Sequence, residues 1–329
     1  MPDKSLNPKL FDKDVEQVPI RKGFGEGLLA QGEKDQSIVA LCADLTDSTQ
    51  MKMFKDKFPE RFVEIGVAEQ NLASVASGMA AMGKVPVISS YAMFSPGRNW
   101  EQIRTTICYN DRKVIIAGSH AGISVGPDGG THQALEDIAI TRVIPNMTVI
   151  SPCDSIEAKK ATMAALQSDI KTPVYIRLAR EKTPVITTEA SDFKIGKAQV
   201  LFDNGNAEAV IFATGALVYK ALKVANELLK EGKEINVVNM ATIKPLDTET
   251  IIDQVRKCGA VVTVEEHQEA GGLGSAVAEV LAQNFPVPME FVAVKNKFGQ
   301  SGTPEELLVH YNLDEKDIKA AIERVVGRK

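Results

Sequence analysis

The stretch Val63-Glu64-Ile65-Gly66-Val67-Ala68-Glu69-Gln70-Asn71-Leu72-Ala73-Ser74-Val75-Ala76-Ser77-Gly78 holds the repeating unit of this chain in miniature. A short β-branched run, 63–67, reads as a strand, and a helix of small residues over 69–82 follows at once. The same alternation recurs along nearly all 329 residues, the mark of parallel sheets with crossover helices. Further strands are expected at 37–43, 85–91, 113–119, 147–151 and 174–178, with helices at 23–33, 99–110, 133–143 and 155–168. From 179 to 197 the pattern breaks into charged residues, threonines and a proline, which reads as a linker. A second series follows, with strands at 209–213, 235–240, 260–265 and 290–294. Helices are expected near 217–230, 248–257, 273–283, 304–311 and 314–326, the last entered through Asp314 as an N-cap. The expected fold class is α/β: two doubly wound domains, residues 1–180 and 198–329, joined through 181–197.

An apolar fraction of 44%, a charged fraction of 25% and a net charge of −5 describe an ordinary globular chain with no polyanion-binding stripe. No run approaches the roughly 20 apolar residues of a membrane span. The polar start Met1-Pro2-Asp3-Lys4 lacks a secretion-signal core, so a cytoplasmic protein without membrane or nucleic-acid partners is expected. Cys42, Cys108, Cys153 and Cys258 are scattered and read as reduced core residues.

Parallel sheets bind ligands beyond the carboxyl ends of their strands, so the residues after each expected strand come first. They are Asp44 to Ser48, then Glu69, then Tyr91 and Phe94, then His120 through His132, then Arg180. Glu69 can be an ordinary first-turn acid favoured by the helix dipole. The small residues behind it allow the alternative of tight packing that buries the acid. The loop 118–133 holds five glycines, Asp128 and two of only four histidines, His120 and His132. Imidazoles beside a carboxylate suit hydrogen bonding to hydroxyls and carbonyls of a polar substrate, and proton transfer near neutral pH, which makes His120 and His132 catalytic candidates. Zinc is a rival that no HxH or HxxxH spacing supports. Gly271-Gly272-Leu273-Gly274 reads as helix–sheet packing, and Glu265-Glu266-His267 as a solvated loop, with an interface or regulatory cluster as the alternative.

Together ALCADLTDS (40–48), EIGVAEQN (64–71), SSYAMF (89–94), GISVGPDGGTHQALED (122–137) and IRLAREK (176–182) resemble the pyrimidine-binding domain of transketolases. EEHQEAGGLGSAVAEVLA (265–282) and FGQSGTPEELL (298–308) resemble the carboxyl-terminal domain of split transketolases. The resemblance implies thiamine diphosphate as cofactor. Glu69 matches the glutamate that hydrogen-bonds its aminopyrimidine, Tyr91 and Phe94 the flanking aromatics, and Asp44 an acid beside it. His120, Asp128 and His132 match residues that contact the sugar, and Arg21, Ser48 and Arg180 the phosphate-binding set. The implied reaction moves a two-carbon ketol unit between sugar phosphates.

The sequence departs from the family at Ala68-Glu69-Gln70, where Arg-Glu-His is usual, at Gly97, where an aromatic is usual, and at Gly126-Pro127-Asp128-Gly129-Gly130. No GDG motif occurs, so the oxygen ligands for Mg²⁺ are expected on another chain, an N-terminal transketolase subunit with GDG and a downstream Asn, in an α2β2 assembly. Rival readings are the beta subunit of a 2-oxo-acid dehydrogenase, a deoxyxylulose-phosphate synthase-like half enzyme, and a silent regulatory subunit.

Overall fold

A computed structural model describes all residues except Met1, Lys4 and Ser168. The expected helix end at Ser168 therefore lies outside the described residues, and the helix there is Ser155–Leu166. Seven strands form the first sheet, in the order Thr242–Lys244, Thr148–Ile150, Val174–Arg177, Ile115–Ser119, Val85–Tyr91, Ile38–Cys42 and Phe62–Glu64. All neighbours are parallel except Thr242–Lys244, an edge strand lent by the second half of the chain. Ile38–Cys42 is buried at every position, which is why it reads as an unbroken apolar run. From Ile38–Cys42 the chain moves outward to Phe62–Glu64, whereas from the adjacent Val85–Tyr91 it moves the opposite way, to Ile115–Ser119. The loops after the central pair therefore open a crevice at a topological switch point.

The second sheet runs Met289–Val294, Val261–Gln268, Ala209–Ala213, Ile235–Asn239 and Gln199–Phe202, the last antiparallel. The two halves share apolar packing: Leu41, Ile88 and Ile116 of the first sheet belong to one buried cluster with Val210, Phe212 and Val238 of the second. On the opposite face of the first sheet, the helix Ile20–Gly32 meets Ser155–Leu166 almost backbone to backbone. A Cβ at Gly27 would stand 2.7 Å from the Lys159 carbonyl oxygen.

The expected linker, 181–197, is a packed strap: Lys182–Pro184 pairs with Gln17–Pro19, Ile186 is fully buried, and the Asp154 carboxylate accepts from the Ile186 and Thr187 amides. Two expected helices need correction. The helix expected over 99–110 is a short turn, Trp100–Gln102, running into a π-helix, Ile103–Cys108, whose Thr106 carbonyl accepts from Ser77 Oγ at 2.6 Å. The one expected over 133–143 is confined to Asp137–Arg142, because Gln133 and Ala134 are tied into the preceding loop. Among the described residues, no helix is long and apolar enough to cross a membrane. All four cysteines are free and buried.

Candidate functional site

Glu69 opens the helix Glu69–Ala81 and is 2% exposed. Its Oε2 accepts from Arg98 Nη1 at 2.7 Å, and its carbonyl accepts from Asn99 Nδ2 at 2.9 Å. Burying a carboxylate requires such a partner. Arg98 itself is 49% exposed, and its guanidinium lies 4.7 Å from the Phe94 ring centre. Two buried oxygens nearby in sequence, Ser90 Oγ and Asn99 Oδ1, have no hydrogen-bond partner.

The turn leading into this helix is organised by Glu64. Its Oε1 accepts from the Asp44 amide at 2.7 Å and the Gly66 amide at 3.0 Å, and its Oε2 accepts from Thr46 at 3.1 Å. Asp44 is exposed and adopts φ +57, a left-handed conformation that this carboxylate stabilises locally.

Four rings converge beside these acids. Tyr91 stacks on His120 with centres 3.8 Å apart and lies 6.2 Å from Phe94 at an interplanar angle of 20°. His132 meets Phe94 edge-on at 5.3 Å. His120 pairs through Nδ1 with Ser119 Oγ at 2.9 Å. Burial, helped by the charges of Arg21, Arg180 and His132, pushes its pKa down to about 3, so this imidazole is neutral throughout the physiological range. A neutral imidazole can donate or accept a hydrogen bond through Nε2, which narrows the proton-transfer expectation.

The cations form the next layer. Arg21 Nε donates to the Arg180 carbonyl at 3.1 Å, and its Nη1 donates to the Ser48 carbonyl. Arg180 Nη1 donates to the Val125 carbonyl at 2.7 Å and stands 4.0 Å from Asp128. Burial, and then Arg180, lowers the Arg21 pKa. The structure thus brings His120, His132, Tyr91 and Phe94 into one ring cluster and links Arg21, Ser48, Arg180 and Asp128 in one polar chain. Glu69 joins through Arg98, which lies over the Phe94 ring, whereas Asp44 is held by Glu64 in the turn before the Glu69 helix.

Sequence reasoning missed Arg98, Glu64 and Asn99. A lone arginine after Gly97 carries no local signal, whereas Glu64 at a strand's carboxyl end could have been weighed alongside Glu69. The solvated-loop reading of Glu265, Glu266 and His267 is overturned: all three are buried on the strand Val261–Gln268. Glu265 accepts from the Leu273 and Gly274 amides at 2.7 and 2.8 Å, capping the next helix. A Cβ at Gly272 would collide with that carboxylate, and one at Gly274 with Phe291, so these glycines serve packing, as expected. Among the described residues, no group of three or more His, Cys, Asp or Glu could hold a metal ion.

Comparison with known proteins gives two consecutive family matches, the pyrimidine-binding domain of transketolase over residues 16–185 and the transketolase C-terminal domain over 196–318. A putative transketolase C-terminal section from Methanocaldococcus jannaschii is 45% identical, the match covering 92% of this chain and 95% of that protein. A 6-deoxy-6-sulfo-D-fructose transketolase subunit from a Clostridium species is 40% identical over 97% of this chain and 98% of its own length. A solved split-gene transketolase, described as an inactive β4 tetramer, superposes with a TM-score of 0.88 at 42% identity, covering 95% of this chain and 99% of that one.

Proposed function

The chain belongs to the transketolase family, as the C-terminal subunit of a split transketolase, and on that premise we propose that it is the half that activates thiamine diphosphate and grips the sugar. The observation that carries this reading is Glu69: a fully buried acid at a sheet edge, beside a stack of aromatic rings, whose charge is met by a half-exposed arginine. A buried carboxylate held by a movable cation is a ready acceptor for a flat, weakly basic heterocycle. The flanking rings of Tyr91 and Phe94 suit its faces. The donor set therefore fits an aminopyrimidine.

Thiamine diphosphate, when bound, supplies the electron sink for ketol transfer. This chain's residues bind and orient. Glu69 Oε2 would hold a proton against a ring nitrogen. Neutral His120, with Nδ1 engaged by Ser119, would present Nε2 to a sugar hydroxyl or carbonyl, and His132 and Asp128 would fix neighbouring hydroxyls. Arg21 and Arg180 would take the anionic end of the sugar. A phosphate presents the same oxygen-rich face as a sulfonate, the group in the name of the Clostridium relative's substrate. Mg²⁺ ligands are assigned to a GDG-bearing partner, and the β4 state described as inactive supports the need for a second kind of chain. Transketolase names among the relatives favour ketol transfer over 2-oxo-acid oxidation.

The test mixes this chain with a GDG-bearing partner, thiamine diphosphate and Mg²⁺, and assays ketol transfer from xylulose 5-phosphate to ribose 5-phosphate and from a 6-sulfo ketose. Transfer should require both chains. Activity from this chain alone overturns the two-chain reading, and no transfer from either donor with the partner present overturns the reaction.

A further inference from the structure

The glycine-rich loop that carries Asp128 and His132 is held by its own hydrogen bonds and also by the second half of the chain. Its Ser124 amide donates to the carboxylate of Glu266, a buried residue of the second half's sheet. Gly122, at φ +93, lets that carboxylate approach, since a Cβ there would stand 2.6 Å from the Glu266 carboxyl carbon. Glu266 is itself fixed from the first half, its carbonyl accepting from Arg177 Nη2 at 2.8 Å. At the other end of the loop, Gln133 Nε2 donates to the Ile123 carbonyl at 3.1 Å and to the Gln300 carbonyl at 2.9 Å. Gly130 lies against the Gly299 backbone, and Gly129 against Ser301, where added Cβ atoms would come within 2.6 Å. The loop glycines are therefore a docking face for the 299–302 segment.

We infer that Glu266, with the 299–302 segment, is a positioning element for the substrate loop, so that the second half of the chain sets where Asp128 and His132 meet the sugar. This rests on the ketol-transfer reading for the identity of the substrate, though the loop geometry stands without it. Glu69, Tyr91 and Phe94 lie on other elements, and Tyr91 and Phe94 meet the loop through the rings of His120 and His132, so loosening the loop should weaken sugar binding more than thiamine diphosphate binding. A shift of about 1 Å in such a loop is enough to cost substrate orientation.

The experiment compares wild type, Glu266→Ala, Glu266→Gln and Gly299→Ala, each assembled with the GDG-bearing partner. Gln keeps an acceptor oxygen for the Ser124 amide. Gly299→Ala acts from a half-buried surface segment, where its Cβ would collide with Gln133 Oε1, and so keeps the question answerable if Glu266→Ala does not fold. For Glu266→Ala and Gly299→Ala, the donor-sugar KM should rise about tenfold while the calorimetric Kd for thiamine diphosphate stays within about twofold. Amide exchange over 119–133 should accelerate, and Glu266→Gln should restore most of the loss. Unchanged exchange in the loop, or an equal loss of cofactor affinity, overturns the inference. A wild-type complex with no ketol transfer sinks the reaction assignment instead, and the exchange result then decides the positioning role by itself.

Discussion

Two strands in this molecule deliver acids at or just beyond their carboxyl ends, the place where parallel sheets receive ligands, and the two sets of acids are used differently. Beyond Phe62–Glu64, Glu69 is buried but answered by the half-exposed Arg98. At the end of Val261–Gln268, Glu265 and Glu266 are buried and answered by backbone amides of Leu273, Gly274 and Ser124, while His267 accepts from the Ala139 amide and donates to the Gln268 carbonyl. Amides cannot swing away, whereas an exposed guanidinium can. The difference separates an acid whose partner could give way to a ligand from acids held by the fold, Glu265 within the second half and Glu266 across the two.

The comparison breaks first at its strongest point. Glu69→Gln keeps the volume and an acceptor for Arg98 but cannot share a proton with a ring nitrogen, so turnover of the assembled enzyme should fall by about 10²-fold or more, with the thermal midpoint little changed. Near-normal turnover would refute the assignment. Glu265→Ala should show the reverse pattern: two buried amides lose their acceptor, a cost of about 2–4 kcal/mol, seen as a lower denaturant midpoint. Turnover per folded molecule should persist. A Glu265→Ala chain as stable as wild type would show that its amide bonds do not hold the helix.

The difference between these acids was not legible in the sequence, and the reason is physical. The strands at 38–42, 85–91 and 209–213 announce themselves through apolar runs covered on both faces. Three-residue strands such as Gln17–Pro19, Lys182–Pro184 and Thr242–Lys244 have no period to read and exist through distant partners. The run Glu265-Glu266-His267 reads as solvated because charge density is a local property, while the amides that satisfy it come from residues 124, 139, 273 and 274. Family resemblance pointed to Glu69, Tyr91 and His120 but not to Arg98, whose meaning depends on a buried carboxylate 29 positions away.

His120 sharpens the comparison through pH. Its folded pKa near 3 lies below the unfolded value of 6.5, so between these limits the unfolded chain holds the extra proton. The contribution is fully present above pH 6.5 and is lost as pH falls toward 3. From pH 7 to pH 5 this one group should remove about 2 kcal/mol of stability, and His120→Gln should lose that much less than wild type over the same interval. Denaturant midpoints at the two pH values give the measurement, and parallel slopes would show that His120 titrates freely.

The smallest effect bears on the exposed guanidinium. Arg98 engages the Glu69 carboxylate and the Phe94 face together, and an aminopyrimidine would use the same two groups. Cofactor and Arg98 then compete, and the fraction of chains with Arg98 withdrawn scales the apparent affinity. Arg98→Ala should tighten thiamine diphosphate binding about threefold in the assembled complex. The variant also leaves the buried Glu69 carboxylate without its cation, so folding stability should fall by about 1–3 kcal/mol, and the affinities are compared on folded complex. Calorimetric titration of wild type and variant decides the matter. Weaker binding in Arg98→Ala would mean that the guanidinium stays beside the bound ring and supports Glu69, and the contrast with Glu265 would then rest on burial alone.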